Sequence, residues 1–177
     1  IPWDDDMDIS MFYEDYKKLE KILVRMDDED YFYQCIKSDP EHVNVFGKFR
    51  KKNDPVFAAD QRSKYFKYQG VGLDVFSLEK SNRFAAHMAK FLYQNLIHPT
   101  QYIKNRFWRH FAIKSVQLLN FGLLIPLCRL IGRINHKGQY RYKLGSGFYQ
   151  CGFSAEDILP LRTMEFEGIE FPVPGNT

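Results

Sequence analysis

An α+β fold, a short mixed sheet with surrounding helices, is predicted by three features of the sequence. Strand-like and helix-like segments intermix without the regular βαβ alternation of a parallel α/β protein. Apolar residues make up 45% of the chain, with 16 Phe and 11 Tyr, which predicts a packed core and excludes a disordered or low-complexity chain. The 177 residues contain no internal repeat and no Ser/Gly linker, so residues 1–177 are expected to form a single domain.

The opening segment Ile1-Pro-Trp-Asp-Asp-Asp-Met-Asp-Ile9 reads as a turn entering a strand. Ser10 is placed to cap a helix carrying Met11, Glu14, Asp15, Leu19, Ile22 and Leu23, with helical apolar spacing and acids in its first turn. That helix is expected to end near residues 27–30. Residues 31–35 and 43–50 alternate like strands, and Asn53-Asp54-Pro55 is a turn signal. Residues 67–78 hold Gly-Val-Gly-Leu-Asp-Val-Phe, an apolar run with one acid, suited to a strand that reaches a site. Residues 79–96 are helical in pattern and stop at His98-Pro99, because the residue before a proline resists the helical region. One or two further helices are expected in residues 102–134, broken by Gly122 and Pro126. The tail alternates Met164, Phe166 and Gly168 against Glu165 and Glu167 before Pro172 and Pro174, as an edge strand or hairpin would.

The net charge of +3 is too small to mark a nucleic-acid binder, so no nucleic-acid partner is expected. The acids nevertheless crowd the first thirty residues, and the bases crowd residues 104–143, which points to an anionic substrate or surface. Cys35, Cys128 and Cys151 are odd in number and widely spaced, suggesting neither a disulfide framework nor a zinc ribbon, and a reducing cytosol is the simplest setting. The longest apolar run, residues 121–128, is too short to span a bilayer. It reads as a buried helix segment, with peripheral contact at the inner face of a membrane, aided by Arg106, Arg109, Lys114, Arg129 and Arg133, as the competing reading.

The sharpest feature is the acidic run. In a strand, successive side chains face opposite ways, so Asp4, Asp6 and Asp8 share one face while Asp5, Met7 and Ile9 share the other. Two carboxylates roughly 5 Å apart repel by about 3 kcal/mol at an effective dielectric of 20, so a cation is expected between them. Hard oxygen ligands favour Mg²⁺ or Mn²⁺ over zinc. A solvated acidic loop or helix cap is the bland alternative. An EF-hand loop would use Asp4, Asp6, Asp8 and Asp15, but Ile9 stands where that loop needs glycine. Lys48 and Arg50, two apart on a predicted strand, face one side and could neutralise phosphates or simply form a solvated edge. His42, His87, His98, His110 and His136 lack metal-ligand spacing, and Lys143-Leu-Gly-Ser-Gly147 reads as a turn because it lacks Walker spacing.

The opening segment resembles the signature of the LicD-type phosphorylcholine transferases, relatives of fukutin-related protein. Phe46-Gly-Lys-Phe-Arg-Lys-Lys-Asn53, Gly70-Val-Gly-Leu-Asp-Val-Phe-Ser-Leu78, Leu159-Pro-Leu to Phe166-Glu-Gly, and Pro172-Val-Pro174 agree with that family in order. The resemblance implies a nucleotidyltransferase-like fold, with an Asp-x-Asp pair on one strand and a third Asp on its neighbour. By position these are Asp6, Asp8 and Asp74, catalytic and metal-binding, with Asp4 as a further metal ligand. It implies Mg²⁺- or Mn²⁺-dependent transfer of phosphocholine or a similar phospho-alcohol from a CDP-linked donor to a glycan hydroxyl, and the spacing of Lys48 and Arg50 would then set both on the donor phosphates. Transfer of NMP from an NTP to an alcohol, and an inactive binding module, are the alternatives. The family's preceding helix and Gly-rich segment have no counterpart before Ile1, Asp54 replaces its usual Thr, and its last helix is not found after Thr177. A fragment lacking both ends of the family domain is therefore expected.

Overall fold

The computed structural model describes residues 7–54, 65–146 and 151–176 and has mixed α+β architecture. Strand β1 (Met7–Phe12) runs directly into helix α1 (Tyr13–Leu23). Strands β2 (Tyr31–Gln34), β3 (Gly47–Lys51) and β4 (Gly72–Lys80) complete the path β1-β4-β3-β2. β4 is central, parallel to β1 and antiparallel to β3. Its far end also pairs with β5 (Tyr140–Tyr142), so Leu78 has Phe12 on one side and Tyr142 on the other.

Alternation along these strands decides what each face of the sheet carries. Ile9, Met11, Val75, Phe49 and Tyr33 pack with Tyr16, Leu19 and Leu23 of α1 into one apolar cluster. The even-numbered neighbours Asp8, Asp74, Lys48, Arg50 and Gln34 therefore project from the opposite face. The α1 side is packed closely. A Cβ on Gly47 would lie 2.0 Å from the Tyr33 hydroxyl oxygen, and that hydroxyl is hydrogen-bonded to Tyr16 at 3.3 Å.

The expected Ser10 cap is replaced by a longer strand. Ser10 stands opposite Phe76 within β1, and α1 begins after Phe12 with no side-chain cap. Pairing with β4 outweighs the local capping preference of a serine. Likewise β4 extends to Lys80, and helix α2 (Arg83–Leu92) starts only at Asn82. The Asn82 side chain accepts from Ala85 N at 2.8 Å and donates to the carbonyls of Ile131 and Ile134, tying the start of α2 to the end of helix α4 (Ile125–Gly132).

Gly122 and Pro126 do not break the next helix. Helix α3 (Arg106–Leu119) passes through a π-helical turn, Asn120–Leu124, into α4, making one helix over Arg106–Gly132. The wide turn absorbs the hydrogen bond that Pro126 cannot donate. It also adds one residue, turning the chain by about 100°, so that Ile125, Cys128 and Gly132 stay on the same side as Ile113, Gln117 and Asn120. The expectation that residues 121–128 form a buried segment holds on one side only: Ile125 and Cys128 are buried, whereas Leu123 and Leu127 are exposed. The whole helix Arg106–Gly132 is long and apolar enough to cross a membrane by length and composition. The tail forms the anticipated hairpin, β6 (Arg162–Phe166) and β7 (Ile169–Val173), turning at Glu167 and Gly168, which both have positive φ.

Substituting Gly47 by Ala forces the Tyr33 ring off Tyr16. Unfolding in denaturant should show a loss of about 1–3 kcal/mol, the usual cost of overpacking, while an unchanged midpoint would mean that Tyr33 moves aside freely.

Candidate functional site

The sheet face opposite α1 carries a row of polar side chains across four strands. Asp8 of β1 is the in-register partner of Asp74 of β4, Asp74 is the partner of Lys48 of β3, and Lys48 is the partner of Gln34 of β2. The Lys48 ammonium forms an ion pair with Asp74 Oδ1. Asp4 and Asp6 lie outside the described residues. Among the described residues no three His, Cys, Asp or Glu side chains come together as a metal-binding group, so Asp8 and Asp74 are two members of the expected four.

The donor chemistry of this pair still suits a hard divalent cation. Adjacent carboxylates on strands about 4.8 Å apart repel. Oxygen donors of this kind are what Mg²⁺ or Mn²⁺ requires.

Arg50 is on the same face as Lys48, as its spacing predicts, but its guanidinium is engaged inside the protein. Nε donates to Gln34 Oε1 at 2.6 Å and Nη1 to the Gly70 carbonyl at 2.7 Å, and the residue is buried. Gln34 passes the contact on, donating at 2.7 Å to Asp39 Oδ2, which also receives Lys67 N at 2.9 Å. Burial pulls the Arg50 pKa down, and the carboxylates of Asp74 and Asp39 oppose that shift. Arg50 thus holds the strand ends and the β2–β3 connection beside the acids. Sequence reasoning missed Gln34 and Asp39. No sequence signal marks them, because the burial of Arg50 that requires acceptors nearby is a property of the fold.

A second polar cluster sits further along β4. Glu79 is buried, accepts from Arg129 Nε at 2.7 Å and from Leu144 N at 2.8 Å, and so anchors α4 and the segment after β5 to the sheet. Lys143 packs over the rings of Tyr16 and Tyr13, and burial lowers its pKa despite nearby Glu20 and Glu79. The segment Lys143 to Ser146 is a turn, as expected, with Gly145 at φ +92°. The three cysteines are free.

His42 lies under α3 in the β2–β3 connection, fully buried, with Nε2 2.9 Å from the Phe46 carbonyl. A carbonyl only accepts, so Nε2 carries a proton and donates it. Burial pushes the His42 pKa down to about 4.

No family model, no curated protein and no solved structure matches this chain.

Because the folded state disfavours His42 protonation, its contribution to stability is complete above the unfolded pKa near 6.5 and is lost as pH falls toward 4. The full effect is about 3 kcal/mol. Denaturant unfolding between pH 7 and pH 4.5 should therefore show a declining midpoint that flattens in His42→Gln, where an amide can still donate to Phe46. An equal slope in both proteins would remove His42 as the cause.

Proposed function

We propose that this chain carries the catalytic sheet of a LicD-type phosphotransferase with a nucleotidyltransferase-like fold. It moves phosphocholine or a similar phospho-alcohol from a CDP-linked donor to a hydroxyl of a cell-surface glycan, at the cytoplasmic face of a membrane. The observation that carries this reading is the register of two separate motifs. Asp8, from Trp-Asp-Asp-Asp-Met-Asp, and Asp74, from Gly-Val-Gly-Leu-Asp-Val-Phe, are direct partners on neighbouring parallel strands. Segments more than sixty positions apart in sequence are neighbours, which supports the resemblance's third Asp on the strand beside the Asp-x-Asp strand.

On this reading Asp8 and Asp74 would hold Mg²⁺ or Mn²⁺, and the resemblance adds Asp4 and Asp6, outside the described residues, as further ligands. The ion, when bound, would neutralise the donor diphosphate and the charge that develops on CMP as it leaves. Lys48, already beside Asp74, contributes a positive charge toward the donor phosphate oxygens. The glycan hydroxyl oxygen forms the new bond to the phosphorus of the transferred group, the bond from that phosphorus to CMP breaks, and Asp74 accepts the hydroxyl proton. Arg50 directs its Nε and one Nη1 donor at Gln34 and Gly70, which leaves Lys48 as the nearer cation for the donor phosphates. Arg50 positions the strands that carry Lys48 and Asp74.

The test is CMP release from CDP-choline by the whole protein with Mg²⁺ and with chelator, for the wild type and for Asp8→Asn and Asp74→Asn. Loss of several kcal/mol of charge stabilisation predicts a fall of about 100-fold or more in each variant, with an unchanged unfolding midpoint. Undiminished release in Asp74→Asn would overturn the assignment. Consumption of CTP or ATP with pyrophosphate release, and none of CDP-choline, would replace it with nucleotidyl transfer.

A further inference from the structure

We propose that the open face of the Arg106–Gly132 helix docks this protein on an anionic lipid bilayer, lying in the headgroup plane rather than crossing the membrane. The inference is independent of the transferase reading.

The apolar face is long and continuous in phase. Phe107, Trp108, Phe111, Leu118, Leu123 and Leu130 are all exposed, Leu118 by 77% and Phe107 by 69%. Because the π-helical turn restores the phase of the helix, these side chains form one stripe opposite the buried one. The stripe runs along a helix of 27 residues, about 40 Å long, and an exposed apolar face of this kind marks an interaction surface.

Charge selects the occupant. Between Glu79 and Glu156 the sequence holds twelve Lys and Arg and no Asp or Glu. Arg83, Lys104, Arg106, Lys114, Arg133 and Lys137 among them are exposed. Such a surface repels a second copy of itself and attracts a layer of lipid phosphates. Long basic side chains can lay their stems on the apolar stripe and reach up to the headgroups, and Trp108 has the amphipathic ring that favours that depth.

The inner face of the same helix rules out a span. Arg109 is buried and paired to Glu41 at 2.9 Å, with its guanidinium 3.4 Å from the Tyr65 ring centroid. Gln117 donates to the His42 carbonyl at 3.0 Å, and Asn120 is fully buried. Crossing the bilayer would strip Arg109 and Gln117 of their partners and expose both, with Asn120, to hydrocarbon. One face is held by the protein, and the other is left for lipid.

Flotation of the whole protein with phosphatidylcholine vesicles, and with vesicles containing phosphatidylserine, tests this. The expected result is binding at least tenfold tighter to the anionic vesicles, weakened by salt and released by alkaline carbonate. Removing Lys104 and Arg106 together should cost about fivefold per charge. Leu118→Glu with Leu123→Glu should abolish binding while leaving the unfolding midpoint intact, since both side chains are exposed. Equal binding to neutral vesicles, no binding to either, or resistance to carbonate would overturn the proposal. So would a lipid-free dimer that the two Glu substitutions dissociate, which would assign the face to a second copy.

Discussion

Parallel pairing of β1 with β4 is the constraint on which the remaining structure depends. Once Val75 is buried and Ile9 and Met11 pack beside it against α1, the register leaves Asp8 and Asp74 side by side on the other face. A slip of one residue would put carboxylates under Tyr16 and apolar side chains on the open face, so hydrophobic burial itself enforces the acidic pair. The repulsion between those carboxylates is local and is partly offset by Lys48. It is small beside the burial that fixes the strands, because each fully buried large side chain contributes about 1.5–3 kcal/mol.

Around this sheet the protein spends an unusual amount of its interior on charge. Arg50, Arg109, Glu79 and Asp39 are all buried, and each is met by a partner within hydrogen-bonding distance. Such pairs contribute little net stability, since desolvation consumes most of the Coulombic gain. They do specify geometry, because losing one partner leaves an uncompensated charge in the interior. The β2–β3 connection is the clearest case. Asp39 receives Gln34, Glu41 receives Arg109, and the His42 carbonyl receives Gln117, so an irregular segment is pinned to the sheet at one end and to α3 along its length.

The sequence made the α+β class, the four-strand alternation and the tail hairpin legible, because each rests on a period of two or on turn residues. It also singled out Asp8 and Asp74, which register then brings together; Asp4 and Asp6 lie outside the described residues. Local signals failed where tertiary pairing competed with them. Ser10 had the chemistry of a cap, but its backbone was needed opposite Phe76. Gly122 and Pro126 had the chemistry of a break, but one extra residue in a wide turn accommodated both. Arg50 was legible as a charge on the correct face, whereas its acceptors come from β2 and from Gly70, and no spacing rule reports contacts of that kind.

The same wide turn connects the helix to the rest of the argument. Without the added residue, the α4 half would rotate by about 100°, bringing Ile125 out of the core and breaking the exposed stripe in the middle. The core would lose a buried side chain and the outer face its continuity, so one local distortion serves both sides of the helix. Because the inner side is joined through Arg109, Glu41 and Asp39 to Gln34 and Arg50, the orientation of the acidic row relative to the basic, apolar face is set by buried hydrogen bonds rather than by a flexible linker. A surface that settles onto anionic lipid by this face therefore carries the Asp8–Asp74 pair at a fixed attitude to it. The separation of acids on the sheet from bases on the helix is then a property of the fold, and not only of the order of residues along the chain.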